Sequence, residues 1–213
     1  MQCFHPVVQN WHLVFMTTKT IGSGEHRLSS DYLILLGEMA FERGIPMSVL
    51  LEGTGLPENL MFMPSVQIGH ESALLLIDNF LEHVDLSAAL EFGKRMTLSK
   101  HGALGYAAQY SATMEDAAGK VEQFIETRVQ LFELRRETDK NSRHLYITTR
   151  IPDSRSGLFM VLAFLASVET ICRTLVPAES RNARSMIQIA CRGDLSNQDI
   201  LPNCAVYTAA PIN

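Results

Sequence analysis

The sequence predicts an α+β fold, with an N-terminal helical lobe followed by an α-β-β-α-β-β segment around a mainly antiparallel sheet. Three observations predict it. From 31 to 96, apolar residues recur at helical spacing. Between 129 and 151, two runs alternate with period two around a short polar linker. Beyond them an apolar helical run over 155–176 is followed by two β-rich segments, SMIQIAC (185–191) and CAVYTA (204–209). Helices that precede a strand-rich half, without strict βα alternation, place the chain in the α+β class.

Each element has its own warrant. Residues 1–30 show no sustained period and read as an N-terminal extension, with Trp11 and Phe15 as its ordering side chains; residues 31–213 read as one domain. Asp31 is placed to cap a first helix whose apolar face is Tyr32, Leu35, Leu36, Met39 and Ala40. Gly44 stops it, and Pro46 opens a short second helix ended by Gly53 or Gly55. A third helix covers 71–84 with Ala73, Ile77, Phe80, Leu81 and Val84 inward, and a fourth covers 85–96. HGALGYAA, 101–108, is a small-residue stretch suited to close backbone approach. Thr113 then caps an acidic-started helix with Ala117, Val121, Phe124 and Ile125 buried. VQLFELRRE and HLYITTRI form a hairpin across TDKNS, with Leu145, Ile147, Thr149 and Ile151 on one face.

Composition narrows the function. The chain has 213 residues, 46% of them hydrophobic, and a net charge of −5. Residues 31–93 hold ten acidic residues against the single Arg43, a balance of −9, while 94–213 balance at +3. A bulk basic surface for nucleic acid is absent. Cys3, Cys172, Cys191 and Cys204 form no CxxC pair and no zinc spacing, which fits a reducing, cytoplasmic setting with no metal. The start lacks the pattern of a signal peptide. The longest uncharged apolar run, GLFMVLAFLASV (157–168), spans about 18 Å as a helix against a hydrocarbon core of about 30 Å. It reads as a core or interface helix and not as a membrane span.

Catalytic patterns are missing. GSGEH at 22–26 has neither GK[ST] nor GxGxxG, and no GxSxG or HExxH occurs, so no catalytic residue, metal ligand or cofactor is expected and the chain does not read as an enzyme. His83 and His101 read as solvated or hydrogen-bonded histidines. Arg135, Arg136 and Arg143 read as decoration of the hairpin's wet face, with Arg150 as the member able to meet an anion or ligand. Residues 32–55 have the outline of a helix-turn-helix, but PMSVLLEG carries no basic residue to face DNA.

GIPMSVLLEGTGL (44–56), LLLIDNFLEHVDLSAALEFGKRMTLSKHGALGYAAQYSATMEDAA (74–118) and the closing CAVYTAAPIN (204–213) together resemble one family. It is the N-terminal, arabinose-binding type of effector domain found in AraC-type transcriptional regulators. Glu91-Phe92-Gly93 departs from the Leu-Gly pattern common there. The resemblance implies a small-molecule effector, a homodimer, and control of transcription through helix-turn-helix units that would lie beyond Asn213 on a longer chain. The alternatives are a protein-interaction module, or a small-molecule or heme sensor without a DNA-binding output. An effector is expected between the helical lobe and the 129–151 hairpin, near Tyr106, Phe132, Tyr146, Arg150 and Phe164. A dimer is expected on the 155–176 helix, where Phe159, Phe164 and Ile171 extend apolar surface beyond one stripe.

Overall fold

A computed structural model describes residues 10–17, 26–138, 142–151, 154–175, 185–190 and 204–208. Strand β1 is Asn10–Thr17 and β2 is Arg27–Ser29; helices α1 (Ser30–Glu42) and α2 (Met47–Leu50) follow. Next come β3 (Gln67–Gly69), α3 (His70–Leu81), α4 (Ala88–Arg95), α5 (Ala103–Gln109) and α6 (Met114–Phe124). The hairpin strands are β4 (Phe132–Thr138) and β5 (Ser142–Thr149), and α7 (Arg155–Leu175) leads to β6 (Ser185–Ala190) and β7 (Cys204–Thr208). The segment between β6 and β7, 191–203, lies outside the described residues.

The α+β class holds, and so does the helix, strand, strand, helix, strand, strand order of the second half. Strand direction is a correction. The five-stranded sheet runs β4-β5-β1-β6-β7. Only β4–β5 is antiparallel; β1 pairs parallel with both β5 and β6, and β6 with β7. The sheet is mixed rather than mainly antiparallel. The reason is connectivity: a short linker returns the chain antiparallel, whereas a crossover helix brings it back to the same end. Helix α7, 21 residues or about 32 Å long at 1.5 Å per residue, is such a crossover between β5 and β6. The slot between them is filled by β1, from a segment that carries no periodic signal in the sequence.

Helix ends follow local chemistry. Ser29, not Asp31, caps α1: its hydroxyl accepts from the Asp31 N–H at 3.4 Å and donates to the Asp31 carboxylate at 2.9 Å. Thr113 caps α6 as expected, accepting from the Asp116 N–H at 3.0 Å and donating to its carboxylate at 2.9 Å. Arg136 leaves the hairpin's wet face and ties β4 to α6. Its Nε donates to Glu122 at 2.5 Å and its Nη1 to Glu115 at 2.9 Å, while its backbone N–H meets Glu122 at 2.9 Å. That covers part of the exposed edge of β4.

Helix α7 is the centre of the core. Phe159 is buried between Phe80 of α3 and Phe92 of α4, edge-on to both. On its other side Phe164 stacks on Phe132 of β4, centroids 4.3 Å apart. The extra apolar surface of α7 is therefore covered by the chain's own helices and sheet, and Phe159 is withdrawn from any contact with a second subunit. Ile171 is half-buried and packs against a smaller cluster with Leu98, Ala108, Ala117 and Leu175.

Two glycines set how closely these parts meet. A Cβ on Gly105 would lie 1.6 Å from the Leu98 carbonyl oxygen, which explains the small-residue stretch at 101–108. A Cβ on Gly93 would lie 2.3 Å from the Ala163 carbonyl and 2.5 Å from the Ala166 Cβ, so α4 lies directly on the backbone of α7. Both obstacles are backbone or a methyl stub, and neither can rotate away. Gly93→Ala is expected to force α4 off α7 and destabilise the chain by about 1–3 kcal/mol, the usual effect of overpacking. Gly105→Ala should be worse. Denaturant unfolding of both variants checks this, and wild-type midpoints would refute the close approach.

Candidate functional site

The site begins with the first turn of α1. Capping by Ser29 fixes that turn and presents Asp31 and Tyr32 side by side. Asp31 Oδ2 accepts from Arg128 Nη2 at 2.5 Å, and its Oδ1 accepts from the Ser65 N–H at 2.9 Å. Ser65 adopts a positive φ of 60° there. Arg128 also reaches the Lys100 carbonyl, and its own carbonyl accepts from the Ser29 N–H at 2.9 Å. Its guanidinium lies 5.5 Å from the centre of the Tyr32 ring. Burial pushes the Asp31 carboxyl up, but the hydrogen bonds from Arg128, Ser29 and Ser65 outweigh it and hold the group below the usual carboxylate range.

His101 stands behind this pair. The Tyr32 hydroxyl lies 3.3 Å from its Nδ1, and the Ser167 hydroxyl of α7 lies 3.1 Å from its Nε2. The imidazole thus joins the start of α1 to α7 through the segment before α5. Its pKa is pulled down to about 4, first by burial and then by the Arg128 charge, so it is neutral at pH 7. Burial likewise pushes the Tyr32 hydroxyl up.

Tyr32, His101 and Ser167 are among the residues that line a cavity of about 70 Å³, whose wall is almost wholly apolar. Its walls are Leu28, Leu33 and Leu36 below, Ile125, Val129 and Phe132 from the hairpin side, and Phe159, Met160, Ala163 and Phe164 from α7. Tyr32, His101 and Ser167 are its polar lining residues. The cavity lies between the helical lobe and the hairpin.

The residues expected to line one pocket separate in space. Phe132 and Phe164 form a stacked wall of the cavity. Tyr106 is 51% exposed on α5 and is not in that wall. Tyr146 projects from the face of β5 opposite to Leu145, Ile147 and Thr149, as the period of two dictates, and Arg150 follows the end of the strand. There Arg135 lies over the Tyr146 ring at 5.4 Å, and Arg150 meets Glu133 at 3.4 Å. His101, Tyr32 and Ser167 replace them at the cavity. No sequence period marks them as a set, because they lie on three separate segments.

Among the described residues no group of His, Cys, Asp and Glu could hold a metal ion, and no helix is long and apolar enough to cross a membrane. Residues 44–186 match the family model described as the arabinose-binding domain of AraC transcription regulator, N-terminal. No curated protein matches the chain.

His101 gives the fold a pH signature. Its folded pKa of about 4 lies below the unfolded 6.5, so the unfolded chain binds the extra proton between these values. Its contribution is complete above pH 6.5 and is lost as the pH falls towards 4. The slope is about 1.4 kcal/mol per pH unit at most. His101→Gln should flatten the fall in stability between pH 6.5 and 5, read by thermal melts, and an unchanged slope would show the ring is not titrating as described.

Proposed function

The chain belongs to the family of arabinose-binding N-terminal domains of AraC transcription regulators, and from that premise we propose that it senses a small molecule in the cavity between α1, α7 and the hairpin. The observation that carries this reading is an apolar chamber enclosed between the helical lobe, α7 and the hairpin side, the kind of concave, mostly apolar space in which small ligands bind. Phe132 and Phe164 are its apolar contacts, and Tyr32, His101 and Ser167 lie in the same lining. Occupancy would act on α7 and on the start of α1 together, since both contribute to the wall. A shift between these elements is how binding would bias a distant DNA-binding region of a longer regulator.

The reading includes a homodimer. With Phe159 enclosed, the surface left for it on α7 is the C-terminal half around the half-buried Ile171. Sedimentation of the chain as a dimer at micromolar concentration, and of Ile171→Glu as a folded monomer, is the expected result; a monomeric wild type removes this part.

The cavity has its own test. Ala163 lines it from α7, and Ala163→Leu places three further carbons in the free space. A compound found by thermal-shift screening and present at a hundred times its dissociation constant should stabilise the wild type by about 2.7 kcal/mol. The same compound should leave Ala163→Leu nearly unshifted. Equal shifts in both proteins would place the ligand elsewhere and refute the reading.

A further inference from the structure

The polar residues in the cavity lining are turned to one another. His101 has the Tyr32 hydroxyl at 3.3 Å from its Nδ1, the Ser167 hydroxyl at 3.1 Å from its Nε2, and the Met96 backbone as a further partner. Both ring nitrogens and both hydroxyls are thus engaged within the protein. What these residues add to the wall is mostly carbon, so a lining that includes them is still almost wholly apolar. The other lining side chains are aliphatic, aromatic or methionine, and none is Asp, Glu, Lys, Arg, Asn or Gln. Asp31 and Arg128, which adjoin Tyr32, are paired with each other at 2.5 Å and lie outside the lining.

Such a wall does not suit the sugar in the family's description. A sugar carries hydroxyls over its whole surface, and each is costly to bury without a hydrogen-bond partner. This lining offers them almost no polar surface. An ionised ligand fares worse, because an unpaired buried charge is strongly disfavoured. Apolar groups carry neither penalty. An engineered cavity of about 150 Å³ lined by Leu, Ile and Phe stays dry and takes up benzene or xenon. The present cavity, at about 70 Å³, has roughly half that space, so as it stands it admits a body smaller than benzene. Part of its wall can yield: Met96 and Met160 are unbranched and have several rotatable bonds, the kind of side chain that adapts to irregular gaps. The stacked Phe132 and Phe164 are its stiffer side.

We propose that the cavity is a hydrocarbon site, which takes a short alkyl or small-ring group of a ligand without a hydrogen bond to it and excludes sugars, carboxylates and amines. The inference rests on the cavity being the ligand site, and it departs from the ligand that the family's description names. Any polar group of the ligand stays outside the wall. Selection is by shape and by the absence of buried polar atoms. The Tyr32–His101–Ser167 chain serves to keep its own polar atoms out of the chamber.

The test uses xenon, n-pentane, L-arabinose and isobutyrate on the whole chain at pH 7, read by NMR shifts of the wall methyls of Leu33, Leu36 and Ile77. Xenon and n-pentane should bind, and L-arabinose and isobutyrate should bind at least about a hundredfold more weakly than n-pentane. Ala163→Leu should weaken n-pentane at least about tenfold. If that variant fails to fold, Ala163→Val carries the comparison. Ser167→Ala removes a single oxygen and should leave n-pentane within about twofold of wild type, since no hydrogen bond to the ligand is lost. L-Arabinose or isobutyrate moving the same methyls, and ceasing to do so in Ala163→Leu, would overturn the hydrocarbon site and leave the cavity reading standing. So would a tenfold loss of n-pentane affinity in a folded Ser167→Ala. Xenon binding without n-pentane would mark a packing void too small for a ligand, and would overturn the cavity reading and the proposal with it. Silence from every probe, or n-pentane indifferent to Ala163→Leu, would do the same.

Discussion

The ion pair between Asp31 and Arg128 is the contact on which the geometry of this molecule depends. Its side chains are only 18% and 12% exposed, and it joins the start of the helical lobe to the segment that enters the hairpin. Around it converge the Ser29 cap, the Ser65 backbone and the Lys100 carbonyl. A buried pair of this kind adds little net stability over an apolar substitute, but losing one member strands the other. Its contribution is therefore positional. It sets where Tyr32 and His101 sit, and through the His101–Ser167 contact how the start of α1 meets α7.

Helix α7 shows why an apolar helix is not by itself an interface. Its sequence is apolar on more than one face, and such a helix must be covered on more than one face. The cover is internal: α4 and α3 on one side, the hairpin on the other. Gly93 makes this possible by letting one helix lie against the other's carbonyls. The Glu91-Phe92-Gly93 segment thus supplies both a close contact and an aromatic wall through Phe92.

What was legible in the sequence is what repeats along it. Helical spacing located α1, α3, α4, α6 and α7, and alternation located β4 and β5 with their buried face. Thr113 announced its own cap, and the glycine-alanine stretch announced a close approach. The rest depends on pairings between segments far apart in the chain. Asp31 meets Arg128 97 residues away, and His101 meets Tyr32 and Ser167 across 69 and 66 residues. No local pattern encodes these meetings. Tyr146 lies away from the cavity because strand alternation puts it on the face opposite Ile147, whatever the size of its ring. β1 carries no alternation in the sequence, and a strand paired in parallel on both sides need not alternate.

The position of β1 also bears on how the chain is made. It leaves the ribosome before both of its neighbours, β5 and β6, encoded at 142–149 and 185–190. Synthesis proceeds at about 5–20 residues per second, so on the order of ten seconds passes before both partners exist. Through that interval NWHLVFMT is an unpaired, largely apolar ribbon on a nascent polypeptide. The helical lobe can condense from local contacts while it waits, but the sheet cannot close until β6 and β7 have emerged. Long-range parallel pairing is slow to form and exposed to aggregation in the meantime. The strand at the centre of the finished sheet is thus the segment of the newborn chain most in need of a chaperone.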